Sequence, residues 1–263
     1  MWIDTHCHLD AGEFAGAGNA VAAQAAQEGV SCIVIPAVEC ANFAPVSDLA
    51  RLPNCRYALG IHPMYVAQAQ ESDLRAVRGA VAQAMQDPRF VAVGEIGLDF
   101  FIPELSVGPL RDKQEHFYAE QLKIARDFDL PVLLHVRRSQ DTILKYLRRI
   151  TVPGGIAHAF NGSFQQAQYF IDLKFKLGFG GAMTFTRSLQ IRRLAAELPL
   201  EAIVLETDAP DIAPAWLHGQ RNDPGQLPRI GATLAELRRM PIEQVAQMTS
   251  ANAHAVLPRL ALQ

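Results

Sequence analysis

Eight short apolar runs alternating with longer amphipathic stretches recur from one end of the chain to the other, and nothing else in the sequence limits its fold as much. The runs span residues 2–4, 31–36, 57–61, 90–94, 131–134, 154–157, 176–180 and 202–206. Most are bounded by Gly, Pro or a polar residue, and several are nearly continuous Val, Ile and Leu, the pattern of a strand buried on both faces. Helical periodicity fills the intervals at 19–28, 71–86, 109–128, 140–150, 163–172, 188–198, 229–239 and 242–257, where Pro241 ahead of Ile242 fits a helix start. Eight β-then-α units in 263 residues predict an α/β fold of the closed (β/α)8 TIM-barrel type. The competing doubly wound open sheet often opens with a Gly-rich phosphate loop, and none follows the first run here. No linker, low-complexity segment or charge block divides the chain, so one barrel domain is expected over 1–263.

Hydrophobic residues make up 49% of the chain and charged residues 19%, which supplies a core and excludes a disordered protein. The balance of 24 Lys and Arg against 27 Asp and Glu gives a net charge of −3, so a protein that coats itself onto polyanions is excluded and any nucleic-acid contact is local to a site. Cys7, Cys32, Cys40 and Cys55 form no CxxC pair, which argues for reduced thiols rather than a disulfide framework or a zinc ribbon. The first basic residue is Arg51, leaving no charged stretch for a secretory signal, and no apolar run reaches the ~18 residues of a membrane span. A soluble cytoplasmic protein is expected, without membrane association or an obligate protein partner.

The chemistry-bearing residues follow the runs. His6 and His8 come after the first, His62 after the third, Glu95 after the fourth, His135 after the fifth, His158 after the sixth and Asp208 after the eighth. In a barrel the C-terminal strand ends share the face that carries the active site, so residues spread over two hundred positions converge. A single histidine at a strand end is ordinarily a packed or surface group. Four of them with two acids at corresponding ends form a nitrogen–oxygen donor set suited to first-row dications. His6 and His8, two apart on an extended segment, point the same way and leave Cys7 to packing. Six ligands are too many for one tetrahedral ion, and the carboxylate on the fourth strand is placed to bridge two. With the ligand count filled, His62 is better suited to a supporting or phosphate-contacting role. His116, His218 and His254 fall in helical or loop stretches and are assigned to surface or packing.

The blocks Ile3-Asp4-Thr5-His6-Cys7-His8-Leu9-Asp10, Gly60-Ile61-His62-Pro63, Gly94-Glu95-Ile96-Gly97-Leu98-Asp99 and Leu205-Glu206-Thr207-Asp208-Ala209-Pro210 together resemble the TatD family of metal-dependent deoxyribonucleases. Gln114 and Phe117, the block His158-Ala159-Phe160-Asn161-Gly162 and the block Arg221-Asn222-Asp223-Pro224 extend the resemblance over essentially the whole chain, which looks like the YjjV-type hydrolases within that family. The resemblance implies a TIM-barrel hydrolase with two divalent metal ions, His6, His8 and Asp208 holding one, His135 and His158 the other, and Glu95 bridging them. Zinc, manganese, magnesium or nickel would suit such a site. Ala159 and Asn161 depart from the His-Cys-Phe-Ser-Gly of many members, which touches the shape of the site rather than its ligands. Phosphotriesterase-like relatives are known for a modified lysine in the bridging place. Glu95 occupies it here, and Lys113, Lys123, Lys145, Lys174 and Lys176 all lie elsewhere.

The expected reaction is hydrolysis of a DNA phosphodiester, at ends or in single strands, by metal-activated water. Asp208 orients the water and accepts its proton, and Glu95 bridges. His62 donates to a phosphate oxygen or the leaving group, and Arg137 adds a phosphate contact. Phe100, Phe101, Arg137, Arg187, Trp216 and Arg221 are candidate nucleic-acid contacts at the mouth. Glu206 either supports the site or pairs within the barrel, and Asn222 either shapes its loop or touches substrate. Two alternatives remain at this level. One is hydrolysis of another bond, such as a small phosphoester, an amide or an aminoacyl ester. The other is a non-catalytic binding protein on the same barrel, which the complete ligand set argues against.

Overall fold

A computed structural model describes residues 1–261. Eight parallel strands follow one another around a sheet in the order of the chain: β1 (Trp2–Asp4), β2 (Val30–Pro36), β3 (Cys55–Leu59), β4 (Phe90–Asp99), β5 (Val132–Arg137), β6 (Gly155–Ala157), β7 (Phe175–Phe179) and β8 (Ile203–Leu205). Just beyond the last strand the chain returns to the first. Thr5 donates through both its amide and its hydroxyl to the Leu205 carbonyl at 3.1 Å, and the Asp208 amide donates to the His6 carbonyl at 2.9 Å. The sheet is therefore a nearly closed barrel, as the eight-unit pattern predicts.

Helices alternate with the strands: α1 (Gly18–Gln27), α2 (Phe43–Leu49), α3 (Glu71–Ala84), the single turn α4 (Pro103–Ser106), α5 (Gly108–Asp127), α6 (Gln140–Leu147), α7 (Phe164–Asp172), α8 (Leu189–Glu197), α9 (Leu227–Arg238) and α10 (Ile242–Val256). The sequence pattern misses α2, whose seven residues include Pro45 and give the periodicity too little length to register. No helix among the described residues is long and apolar enough to cross a membrane. The four cysteines are unpaired.

Two apolar layers follow from strand alternation. One face of each strand packs outward against the helices. The other fills the barrel with Ile3, Val34, Ala58, Val91, Leu133, Ile156 and Val204. Ala253 and Val256 of α10, with Leu257 and Leu260, close the interior from below. Arg259 fastens this plug by donating to the carbonyls of Phe90, Met85 and Asp87. Among the described residues the interior is thus packed beneath and opens at the C-terminal ends of the strands.

Two strands run past their expected C-terminal ends. β4 continues five residues past Gly94, and β5 continues past Leu134 to Arg137, so Glu95 and His135 lie within strands rather than after them. The pairing explains why β4 reads as ending early. Val93 pairs with Val132 but Ile96 with Leu134, so β4 carries one extra residue at Gly94–Glu95. Such a bulge redirects a side chain without ending the strand. Glycines permit it: a Cβ on Gly94 would lie 2.6 Å from the Leu133 Cβ, and one on Gly97 (φ +143°) 2.1 Å from the His135 carbonyl oxygen. Gly97→Ala is expected to lower stability by about 1–3 kcal/mol through displacement of β5 at His135, read as a drop in the urea midpoint with unchanged slope.

Candidate metal centre

Alternation carries the inward face of each strand up into the open end. His135 stands two residues beyond Leu133, His158 two beyond Ile156, and Asp208 four beyond Val204. All meet at the carboxylate of Glu95, which is 1% exposed. Its two oxygens face different partners. Oε2 lies 3.0 Å from His6 Nε2 and 3.4 Å from His8 Nε2. Oε1 lies 3.1 Å from His135 Nδ1, 3.1 Å from His158 Nε2 and 3.3 Å from His62 Nε2. Asp208 Oδ1 completes the first set at 3.7 Å from both His6 Nε2 and His8 Nε2. All six residues expected to be ligands are brought together, and Cys7 is fully buried on the far side as expected.

The donor set suits a cation better than it suits itself. A carboxylate offers about four lone-pair positions, and five imidazole nitrogens crowd this one. At least one imidazole must then turn a bare lone pair inward. His6 Nε2 and His8 Nε2 face each other at 3.3 Å, close to the edge of a tetrahedron with arms of about 2.0 Å, the usual zinc–nitrogen distance. Separations of 3.0–3.7 Å among His6, His8, Glu95 and Asp208 fit one four-donor site. His135 and His158, 3.5 Å apart, form with Glu95 Oε1 a three-donor site that faces the opening.

His62 differs from the other four histidines. Its Nδ1 accepts from the Met64 amide at 3.1 Å, which leaves the proton on Nε2, the nitrogen facing Glu95. It therefore stands at the cluster as a hydrogen-bond donor, although its ring also groups with Glu95 and His135 at a spacing that a cation could span.

Burial and charge set the protonation of the cluster in the absence of a cation. Burial opposes a charge on Glu95, but His62, His6, His158 and His135 outweigh it and hold the carboxyl well below its usual range. Burial, reinforced by His158, drives His6 down to about 3, and burial takes His62 down to about 4. His8 is raised to about 9 because Glu95 and Asp208 overcome its burial. Asp208 is pushed up to about 6 by burial, only partly offset by His158 and His8.

Buried amides hold this geometry from behind. Gln121 of α5 accepts from the Ile61 amide at 2.7 Å and donates to its carbonyl, fixing the turn that carries His62. Gln114, two turns earlier, accepts from the Asp99 amide and donates to the Leu105 carbonyl. Asp4 accepts from the amide and hydroxyl of Thr207 and from the His6 amide, tying the first strand to the eighth at the height of the site. Asn222 donates to the carbonyls of Thr207 and Asp211 and so shapes its loop from a fully buried position. Glu206 accepts from the Ala159 amide and lies 3.6 Å from His158 Nδ1, in space that a side chain on Gly178 would fill.

The centre forms the floor of an open cleft of about 1350 Å³. Of the six expected nucleic-acid contacts, Phe101 and Arg137 line it; none of the five lysines does. The Arg137 guanidinium lies 3.8 Å from the Phe101 ring centre, with Arg138 at 4.7 Å from the same ring. The others pack elsewhere: Phe100 beneath Arg111, Trp216 between Gln226 and Arg229, Arg221 over Phe14, and Arg187 beside Phe185. His116 pairs with Glu71 on the surface and His218 packs on Phe185, as assigned. Asp99 carries no assigned role in the sequence, although it ends the Gly94–Asp99 block, and the structure buries it 3.0 Å from His135 Nε2. An acid four residues beyond Glu95 in a continuing strand is the signal that marks it.

Residues 3–258 match the family model described as TatD related DNase. The chain belongs to the TatD family. It is 42% identical over 255 residues to the uncharacterized metal-dependent hydrolase YjjV of Escherichia coli (strain K12), with 96% of each chain covered. The crystal structure of that TatD homologue superposes with a TM-score of 0.92 at 40% identity, over 98% of both chains. The 3′-5′ ssDNA/RNA exonuclease TatD of Salmonella typhimurium is 32% identical over 263 residues, covering 95% of this chain and 96% of its own. Stripping divalent cations with a chelator is expected to lower the melting temperature, because a ligand at a hundred times its Kd contributes about 2.7 kcal/mol to the folded state. Re-adding metal is expected to restore the wild type but to leave Glu95→Gln near its stripped value, as differential scanning fluorimetry would report.

Proposed function

We propose that the chain acts as one barrel hydrolase over 1–263, in the cytoplasm, and cleaves phosphodiester bonds at the ends of single-stranded DNA. The observation that carries this reading is the division of Glu95 between two sets of ligands, Oε2 toward His6, His8 and Asp208 and Oε1 toward His135 and His158. A carboxylate shared in this way supports a two-cation centre of zinc, manganese, magnesium or nickel. Bound there, two divalent cations supply Lewis-acid activation of water and neutralise charge on the phosphoryl oxygens. The exonuclease activity named for the Salmonella relative supports nucleic acid as the substrate.

The chain's own residues divide the remaining work. Asp208, at the edge of the first set and on the cleft wall, holds the attacking water and takes its proton. His62, with its proton fixed on Nε2, donates to a phosphate oxygen or to the departing oxygen. Arg137 pairs with a flanking phosphate, and Phe101 offers a face on which a base stacks.

A second reading is favoured by the charge of the rim. Asp10, Glu13, Glu39 and Asp211 line the cleft, against Arg137 and Arg138 as its lysine or arginine side chains. So acidic a mouth suits a small phosphoester, or an amide or ester, better than a long polyanion.

End-labelled single-stranded DNA incubated with Mn2+ is expected to shorten progressively with the wild type and at least about 100-fold more slowly with Asp208→Asn, the loss of a general base. Identical digestion by both proteins would sink the proposal. Phe101→Ala is expected to raise KM for DNA by about 5–100-fold, the range for one stacked base, while KM for a chromogenic small phosphodiester stays unchanged. An equal effect on both substrates would favour the second reading.

A further inference from the structure

We propose that Asp99 is a positioning residue for His135, holding the imidazole with its proton on Nε2 so that the Nδ1 lone pair faces Glu95 and the cation beside it. The inference rests on the two-cation reading above and adds a residue which that reading leaves without a role.

Asp99 ends β4, is fully buried, and uses both of its oxygens. Oδ1 accepts from the amides of Phe101 at 2.8 Å and Ile102 at 3.2 Å. Those two bonds keep the carboxylate from turning. Oδ2 is thereby aimed at His135 Nε2, 3.0 Å away. The register of the two strands sets the distance, since Gly97 pairs with His135 and Asp99 with Arg137. Gly97 lets β5 come this close, its missing side chain being replaced by the His135 carbonyl.

An ionised carboxylate only accepts hydrogen bonds, so the contact requires the proton on Nε2. A neutral imidazole has one such proton, and Nδ1 is left as the lone pair. That nitrogen lies 3.1 Å from Glu95 Oε1 and 3.5 Å from His158 Nε2, among the candidate ligand atoms. His62 meets the same Glu95 oxygen with the opposite role, because the Met64 amide occupies its Nδ1 and leaves Nε2 as donor. Two histidines on one oxygen are thus set apart by what stands behind each ring. Glu206 does not serve His158 in the same way: its Oε1 is taken by the Ala159 amide and lies 3.6 Å from the ring.

Asp99→Asn separates orientation from scaffolding. Its Oδ1 still accepts from Phe101 and Ile102, but an NH2 group replaces Oδ2, so Nε2 of His135 must accept and the proton moves to Nδ1. Cation-stripped wild type titrated calorimetrically with Mn2+ is expected to show two binding events. The variant is expected to keep one at wild-type affinity and to bind the other about 10–100-fold more weakly, the usual effect of losing a group that orients a metal-binding histidine. A role confined to locking the loop predicts two unchanged affinities, and that result overturns the inference while leaving the cation pair intact. A wild type that binds fewer than two cations overturns the two-cation reading and this inference with it. Should Asp99→Asn fail to fold, long-range 1H–15N spectra of zinc-loaded, histidine-labelled wild type decide the matter. Coordination through Nδ1 of His135 with a proton on Nε2 supports the inference, and a proton on Nδ1 or coordination through Nε2 overturns it.

Discussion

A single buried carboxylate with imidazoles on both of its oxygens is the constraint to which the rest of this barrel answers. Glu95 is carried at the middle of a buried strand whose preceding residues are apolar, and its charge is tolerable there because His62, His6, His158 and His135 surround it. A buried charge without such partners would cost several kcal/mol. The bulge at Gly94–Glu95, the glycines on either side of it and the approach of β5 over Gly97 all serve to bring that carboxylate to the axis. The glutamines of α5 then fix the two strand ends beside it, so a helix remote from the opening has as much to do with the geometry of the centre as the strands have.

Much of this was legible in the residues. The eight β-then-α units and their closure follow from apolar runs of strand length separated by helical periodicity, and each of the eight runs is a strand. The six donor residues were visible because each stands at or near the end of a run, where a polar side chain has no packing role. The end of β4 was not legible: the apolar run stops at Gly94, whereas Gly94 and Gly97 are the residues that let the strand continue past a bulge. Asp99 was hidden for the same reason, since a strand taken to end at Gly94 has no position for it. Among the mouth residues, sequence could name aromatic and basic side chains but not their neighbours. Trp216 and Arg221 fit the same description as Phe101 and Arg137, yet Gln226, Arg229 and Phe14 engage them in packing.

The two sides of the cleft are chemically unlike. Around the end of β5, Arg137 and Arg138 flank Phe101 and offer cationic and aromatic surface together. Around the loops after β1, β2 and β8 stand Asp10, Glu13, Glu39 and Asp211. A chain of −3 net charge thus confines its attraction for anions to one wall and to whatever cations the floor holds. Binding of an anionic substrate would accordingly weaken with salt by a shallow slope, since few phosphates can be engaged at once.

The closure between Thr5 and Leu205 also governs when the donor cluster can be completed during synthesis of the chain. The His6–His8 pair and Asp208 belong to one donor set but are separated by nearly the whole barrel. At about 5–20 residues per second, a ribosome needs roughly 10–40 s to travel between them. Throughout that interval the nascent chain exposes two histidines with no carboxylate from the eighth strand to complete them. The ordering of the candidate ligands along the chain therefore delays assembly of the cluster until the barrel is nearly made, and a chain truncated before β8 carries the first half of a cluster that it cannot finish.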